Sequence, residues 1–218
     1  MQKNLIAVGA LALTAAATSI AHADTFEVSV TNISRGVQFT PILVVAHSAD
    51  IALWEFGAPA SDELAFLAED GDTTPLQTLL ATVPDLVSDF GATEGLTDPG
   101  SSASVIVEGG EGFDRISLAA MLLPTNDSFV GADSLRVPRR VGGTRTYFAI
   151  GLDAGSEPND EDCDNIPGPT CGGAGASPDE GGEGYVHVSG GIAGIADVTA
   201  SVYDWRNPVA RVTITRID

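Results

Sequence analysis

Short apolar segments, separated by turn-forming residues, run through most of the chain. Phe26, Val28 and Val30 alternate with polar residues, and this period of two predicts a strand with one buried face. The continuous apolar run at 41–45 instead predicts an interior strand. Further strands are predicted at 104–107, 115–123, 146–152, 185–188, 200–203 and 209–217. Because Gly, Pro, Asn and Asp separate these segments, the pattern predicts an antiparallel β-sandwich.

Two short helices interrupt the strand pattern. Ser61 is a capping residue and is followed by the acids Asp62 and Glu63, so a helix is predicted to begin there. Pro75 suits the first turn of a second helix, and Pro84 is predicted to end it. The predicted fold class is therefore all-β with two short helices.

The first 23 residues have the pattern of a secretory signal peptide. Lys3 supplies the positive charge, an alanine-rich apolar run follows at 5–20, and the small residues at 21–23 suit cleavage after Ala23. The apolar run is short for a bilayer span, which needs about 20 residues. We therefore predict a signal peptide at 1–23, a single domain at 24–218 with no membrane span, and a secreted or periplasmic location.

The predicted mature chain is strongly acidic. Nine arginines remain after cleavage and face 30 acidic residues, so the formal charge is 9 − 30 = −21. Such a charge argues against nucleic acid as a partner and attracts cations. Adaptation to a saline or cold marine habitat would give the same composition without any binding site, so charge alone does not assign one.

The segment 155–184 differs from the rest of the chain. It is dense in Gly, Pro, Asp and Glu and has almost no large apolar residue, so we predict an acidic surface loop. Cys163 and Cys171 are the two cysteines of the chain. A close, even pair in an exported protein predicts a disulfide that ties this loop.

Three aspartates in this loop alternate with other residues in the rhythm of an EF-hand. Asp160, Asp162 and Asp164 suit its first positions, but the later Gly and Glu of an EF-hand are missing. Two interpretations stay open here, a weak secondary calcium site and a solvated acidic loop.

Two acidic motifs lie one strand's length apart. Pro-Thr-Asn-Asp-Ser-Phe-Val-Gly occupies 124–131, and Asp-Ala-Gly-Ser-Glu occupies 153–157. Ala-His-Ser and Leu-Trp-Glu-Phe-Gly lie within 46–57, and a closing strand lies at 209–217. Taken in chain order, the four blocks resemble the spondin domain, the N-terminal module of the F-spondin and mindin family. The resemblance implies a C2-like β-sandwich that binds one calcium ion.

The resemblance assigns the calcium ligands to Asp127, Asp153 and Glu157. Calcium takes about six to eight oxygen ligands, carboxylates among them. The chain departs from the family's animal members at Ser128, where they have an aromatic residue, and at Glu157, where they have Asp. Glutamate also coordinates calcium, through one oxygen or two. Calcium is therefore the predicted cofactor.

Other chemistry has weaker support in the sequence. His47 and His187 are the only histidines of the predicted mature chain, and a copper or zinc site would need both with further ligands. A periplasmic transition-metal-binding protein is therefore the alternative function. The sequence has no nucleophile elbow, zinc-protease motif or phosphate-binding loop. This predicts a protein that is not an enzyme, and a hydrolase acting on a surface polymer is the less favoured alternative.

Together these features predict a secreted calcium-binding module for adhesion or another extracellular interaction. The expected partner is an extracellular matrix or cell-surface protein or polysaccharide. Nothing in the sequence predicts an oligomeric state.

Overall fold

The computed structural model describes residues 23–176 and 181–218. The predicted signal peptide up to residue 22 lies outside the described residues, and so do residues 177–180 of the acidic loop. The described strands are β1 (Asp24–Asn32), β2 (Gln38–Phe39), β3 (Leu43–His47), β4 (Val87–Ala92), β5 (Ser102–Gly109), β6 (Arg115–Leu123), β7 (Ser128–Arg136), β8 (Thr144–Asp153), β9 (His187–Val188) and β10 (Ala210–Arg216). The described helices are α1 (Asp62–Asp70), α2 (Thr74–Leu80), α3 (Gly168–Cys171) and α4 (Ala200–Tyr203), with a 3₁₀ turn at Cys163–Asn165.

The helices are few and short. Ser61 caps α1 by accepting a hydrogen bond from the Leu64 N–H at 3.2 Å, and Pro75 lies in the first turn of α2. Each of α3 and α4 is a single turn of four residues, so the predicted all-β fold with two short helices is confirmed. Within residues 23–176 and 181–218, no helix has the length and apolar character needed to cross a bilayer.

One antiparallel sheet contains all ten strands. Its order is β4-β3-β6-β7-β8-β10-β1-β5, with β2 paired to β6 and β9 paired to β8. The sheet curls until its edge strands β4 and β5 lie side by side. There Ser88 Oγ donates to the Glu108 carbonyl at 2.8 Å, and the Glu108 N–H donates to Asp89 Oδ2 at 2.8 Å. Side chains thus join the two edges of a nearly closed, sandwich-like sheet.

The main core fills the inside of this curled sheet. Phe26, Val28 and Val30 of β1 are at most 1% exposed, whereas the residues between them are exposed or half-buried. Val212 and Ile214 of β10 are opposite Val30 and Val28 in the strand ladder and belong to the same core. The period of two read from the sequence therefore sets which face of β1 is buried, as expected for a pleated strand.

A second core lies on the outer face of the sheet, beneath α1 and α2. Leu64 and Leu67 of α1 are fully buried in a cluster with Phe129 of β7. Trp54 packs edge-on against Phe129, with ring centroids 5.2 Å apart. A Cβ on Gly131 would lie 2.8 Å from the Trp54 ring, so glycine at this position lets the indole approach the strand. The two cores fix the positions of β7 and β8, which carry the candidate site.

The acidic segment 155–184 is tied to the domain at several points. Cys163 and Cys171 form the predicted disulfide, with an S–S distance of 2.01 Å. Ile166 is fully buried in the main core, and Cys171 packs against that core. The segment is therefore anchored to the core through Ile166, which the composition of the segment alone did not indicate.

One predicted strand is wrong. Residues Ala200–Tyr203 form α4, in which the Val202 and Tyr203 N–H groups donate to the Thr199 carbonyl. Four mostly apolar residues suit a helical turn as well as a strand, because periodicity does not separate the two over so short a run.

Candidate functional site

Acidic residues from two neighbouring strands lie at one end of the sheet, where β7 begins and β8 ends. Ser128, the first residue of β7, pairs with Asp153, the last residue of β8. Asp127 immediately precedes β7, and its carbonyl accepts a hydrogen bond from the Ala154 N–H at 3.2 Å. The paired strand ends therefore hold Asp127 and Asp153 next to each other.

Asp127 is the most deeply buried acid of this cluster, with no exposed surface. Its Oδ2 accepts hydrogen bonds from the Ser156 N–H at 2.7 Å and the Glu157 N–H at 3.0 Å. Its Oδ1 is also buried and has no hydrogen-bond partner among the described residues. A buried carboxylate oxygen without a donor is costly unless a cation compensates it. Asp127 thus has the environment of a metal ligand.

The turn after β8 returns the chain toward Asp127. Gly155 has φ +68°, and a Cβ there would lie 2.5 Å from the carbonyl oxygen of Tyr185. Only glycine suits this conformation together with so close an approach. The turn brings the Glu157 backbone onto Asp127, and the Glu157 side chain is 2% exposed. Three buried acidic residues therefore lie around one turn.

Hydrogen bonds orient Asp153 within this cluster. Its Oδ1 accepts from the Gly155 N–H at 2.9 Å, and its Oδ2 accepts from Asn159 Nδ2 at 3.0 Å. Burial raises the pKa of Asp153 above its usual value. Burial, with the charge of Asp153 beside it, raises the pKa of Asp127 to about 7. Without a cation, the cluster therefore resists full ionisation at neutral pH.

These shifts predict how the stability of the metal-free protein depends on pH. The raised pKa of Asp127 means that the folded state binds more protons than the unfolded state between about pH 4 and pH 7. Its contribution is present in full below the unfolded pKa and is lost as pH rises through about 7. Urea unfolding in chelator should therefore show stability falling from pH 5 to pH 8, by about 3 kcal/mol for this group.

The matched test of that pH dependence is Asp127→Asn. This variant should lose most of the decline between pH 5 and pH 8, because the group that titrates is gone. Replacing the exposed Asp85 by Asn should leave the decline as it is. An unchanged profile in Asp127→Asn would contradict the assignment of the titration to Asp127.

A cluster of three potential metal ligands around Asp153 was not predicted from the sequence. Atoms of Asp153, Glu183 and His187 that can bind a metal all lie within 4.8 Å of one another. His187 Nε2 is 3.4 Å from Asp153 Oδ1 and 3.8 Å from Glu183 Oε2. His187 belongs to β9, which pairs with the end of β8 and places His187 opposite Asp153 in the ladder. Strand pairing, and not sequence spacing, assembles this triad.

The imidazole of His187 has a defined orientation. Its Nδ1 lies 3.0 Å from the Val188 carbonyl, which only accepts hydrogen bonds, so Nδ1 carries the proton. In the neutral ring, the Nε2 lone pair then faces the carboxylates of Asp153 and Glu183. Burial acts to lower the pKa of His187, but the Val188 carbonyl and the two carboxylates outweigh it and raise that pKa. A proton or a metal ion at Nε2 would relieve the repulsion between the Nε2 lone pair and the two carboxylates that face it.

A family comparison agrees with this architecture. The model of the Spondin_N family matches residues 11–155, more than half of the chain. The chain belongs to the Spondin_N family. This membership confirms the resemblance predicted from the motifs, and the matched region includes Asp127 and Asp153. Glu157, Glu183 and His187 lie beyond it. No curated protein matches the chain.

The predicted pairing of His47 with His187 is not assembled in this Spondin_N protein. His47 ends β3 and pairs with Arg115 of β6. Arg115 in turn pairs with Arg136, which lies at the end of β7 far from Asp153. Eight residues of strand separate the two ends, roughly 25 Å. Both ring nitrogens of His47 lie 2.7 Å from oxygens, the Ser48 carbonyl and Ser117 Oγ, and burial lowers the pKa of His47. His47 is thus a hydrogen-bonded core residue.

Two of the three acids with EF-hand rhythm, Asp160 and Asp162, have carboxylates with structural hydrogen bonds. Asp160 Oδ1 accepts from Asn126 Nδ2 at 2.8 Å, and its Oδ2 accepts from Asn165 Nδ2 at 2.8 Å. Burial acts to raise the pKa of Asp160, but its hydrogen bonds outweigh burial and lower it. Asp162 caps the 3₁₀ turn by accepting from the Asp164 N–H at 3.0 Å. Within the described ranges, none of the three joins a group of potential metal ligands.

Proposed function

We propose that this protein is an extracellular calcium-binding module in which Asp127, Asp153 and Glu157 hold the ion. The observation that carries the proposal is the fully buried carboxylate of Asp127, whose Oδ1 has no donor among the described residues. In that part of the chain no arginine pairs with Asp127 or Asp153. An ionised carboxylate in such a site costs several kcal/mol, which a bound divalent cation would offset.

The donor set supports calcium in particular. All three side chains offer carboxylate oxygens, which suit a hard cation with flexible coordination. Magnesium keeps several waters and demands octahedral geometry, so a buried pocket made by the protein suits it less. In this role the ion would hold the turn at 154–157 against β7 and so keep the surrounding loops in a fixed arrangement.

Calorimetric titration of calcium into the chelator-treated protein tests the proposal. Wild type should bind one calcium ion, and Asp127→Asn or Asp153→Asn should weaken binding at least about 100-fold, because even outer partners of a ligand are worth 10–100-fold. Asp85→Asn removes the same charge from an exposed site and should bind as wild type does. Equal affinity in all four proteins would contradict the proposed site.

The wider role follows from family and chemistry. The chain is an extracellular-type sandwich module of the Spondin_N family with a disulfide, and that family is generally non-enzymatic. We infer that the protein acts by binding an extracellular matrix or cell-surface protein or polysaccharide after export. Its activity is therefore expected to be retention at a surface without turnover of the partner.

A second candidate function is favoured by one observation, the lone pair of His187 that faces Asp153 and Glu183. One imidazole nitrogen and two carboxylates are a ligand set that zinc accepts. The backbone carbonyl on Nδ1 is a common outer partner of a metal-binding histidine. The same protein would then hold a transition metal beside the calcium ion, with Asp153 shared between the two sites.

Paired titrations with zinc and calcium separate the two sites. His187→Gln should weaken zinc binding at least about 100-fold and leave calcium binding within about twofold, since outer-partner effects alone reach 10–100-fold. Asp153→Asn should weaken both metals. His47→Gln is the matched control and should change neither. Zinc binding that survives in His187→Gln would exclude the triad as a zinc site.

A further inference from the structure

Four of the nine arginines line one pocket at the opposite end of the sheet from the acidic cluster. Arg136 ends β7, Arg139 lies in the loop between β7 and β8, Arg145 is near the start of β8, and Arg216 ends β10. The pocket has a volume of about 150 Å³. These residues come from three separate places in the sequence, and the antiparallel ladder brings them together.

The positive charge of this arginine pocket is only partly compensated. Two aspartates also line the pocket, and Asp24 pairs with Arg216, whereas Asp114 pairs with the neighbouring Arg115. In the part of the chain that the structure describes, no carboxylate lies within ion-pair distance of the other three pocket arginines, Arg136, Arg139 and Arg145.

This arrangement is unexpected for a chain with 30 acidic residues. Solubility does not require arginines in a protein that already has a large net charge, and guanidinium groups around one pocket repel one another. An anion between them would remove that repulsion, because a cleft lined by one sign of charge concentrates counter-ions.

Hydrogen bonds and core packing hold the pocket walls in place. Arg216 Nη1 donates to the Arg139 carbonyl at 2.9 Å, and the Gly142 N–H donates to the Arg216 carbonyl at 2.8 Å. Val137 is 9% exposed and belongs to the main core. The loop between β7 and β8 is thus fixed to β10 on one side and to the core on the other. Such a fixed loop reduces the ordering cost of binding.

The size of the pocket limits what it holds. A volume of about 150 Å³ is several times the ~30 Å³ share of one water molecule and is below the roughly 300 Å³ at which organic-ligand pockets begin. It suits one tetrahedral oxyanion group, whose oxygens match the planar fork of a guanidinium. Arg140, exposed next to Arg139, extends the positive surface beyond the pocket.

We propose that the arginine pocket binds sulfate or phosphate ester groups carried by an anionic extracellular polysaccharide. A polysaccharide with spaced ester groups presents one group to the pocket while its neutral sugars pass the acidic remainder of the surface. A nucleic acid presents dense charge along its whole length, which the net charge of −21 for residues 24–218 repels. The proposal deepens the proposed binding-module function by naming the chemistry of its partner, and it does not depend on a metal.

Binding to immobilised dextran sulfate of low sulfate content, in which most sugars are neutral, tests the proposal in chelator and at physiological ionic strength, with neutral dextran as reference. The double variant Arg139→Gln/Arg145→Gln should bind at least about tenfold more weakly than wild type, because charge-assisted Arg–oxyanion contacts are lost. Arg206→Gln/Arg211→Gln removes the same charge from exposed sites away from the pocket and should stay within about twofold of wild type. All four exchanged residues are exposed, and equal unfolding midpoints would confirm intact folding.

Further outcomes either support the proposal or contradict it. No binding to dextran sulfate, or equal weakening in both double variants, would overturn the pocket assignment. Binding of a DNA duplex as tight as that of dextran sulfate would overturn the choice of polysaccharide. Inorganic sulfate should compete only weakly, and full competition at the same sulfate concentration would indicate a free-anion site instead. Asp127→Asn should bind dextran sulfate as wild type does, so the polysaccharide result can be interpreted even if the proposed calcium site is wrong.

Discussion

Saturating calcium is expected to raise the midpoint of thermal unfolding of the chelator-treated protein by about 5–10 °C. A ligand that binds only the folded state adds about 2.7 kcal/mol at 100 times its Kd. For a domain of this size, each kcal/mol raises the midpoint by about 2–4 °C. The effect arises because Asp127 and Asp153 are buried and repel each other when both are ionised. Differential scanning calorimetry at pH 8, with and without calcium, measures it.

The variant Asp127→Asn gives this experiment its sharpest control. At pH 8 in chelator it should unfold at the same temperature as wild type or higher, because a buried like-charge pair has been removed. With calcium it should unfold below wild type, since the ion no longer has its ligand. Asp85→Asn should follow wild type in both conditions. A full calcium shift in Asp127→Asn would show that calcium stabilises the protein somewhere else.

Much of the sheet could be predicted from the sequence because several strands have unambiguous patterns. β1 alternates between buried and more exposed residues, and β6 coincides with the strand predicted at 115–123. β4 and β7 were not predicted. β4 is half-buried along most of its length and contains glycine, so its pattern is weak. β7 changes from fully buried to exposed along its length, which hides the period of two.

The candidate calcium site was predictable to the extent that it is local. Asp127 immediately precedes β7 and Asp153 ends β8, the strand paired with β7, and the family motifs assign both residues to one site. The His187 triad depends instead on β9, two residues long, whose pairing with β8 no pattern in the sequence indicates. The arginine pocket draws on β7, β8 and β10 and has no local signature at all. Sites formed by long-range pairing were therefore the ones that sequence analysis missed.

The acidic segment also contains one buried structural carboxylate, Glu161, which its composition does not distinguish from the exposed acids around it. Glu161 is 4% exposed, and its carboxylate accepts hydrogen bonds from three successive backbone N–H groups. These are the N–H groups of Ala193 at 2.5 Å, Gly194 at 2.7 Å and Ile195 at 2.9 Å. The Glu161 carbonyl in turn accepts from the Asp197 N–H at 3.1 Å. Glu161 therefore fastens the acidic segment to the loop between β9 and α4.

Replacing Glu161 by Gln should destabilise the protein by about 3–5 kcal/mol, which is one of the largest effects expected from a single substitution. Hydrogen bonds to a charged group are worth about 1.5–3 kcal/mol each, and the amide of Gln would direct its own donor at backbone donors. Urea unfolding measures the loss. Glu111→Gln makes the same chemical change at an exposed position and should cost less than about 0.5 kcal/mol. If both variants unfold alike, the three contacts of Glu161 contribute nothing to stability, and the acidic segment is held by its disulfide and Ile166 instead.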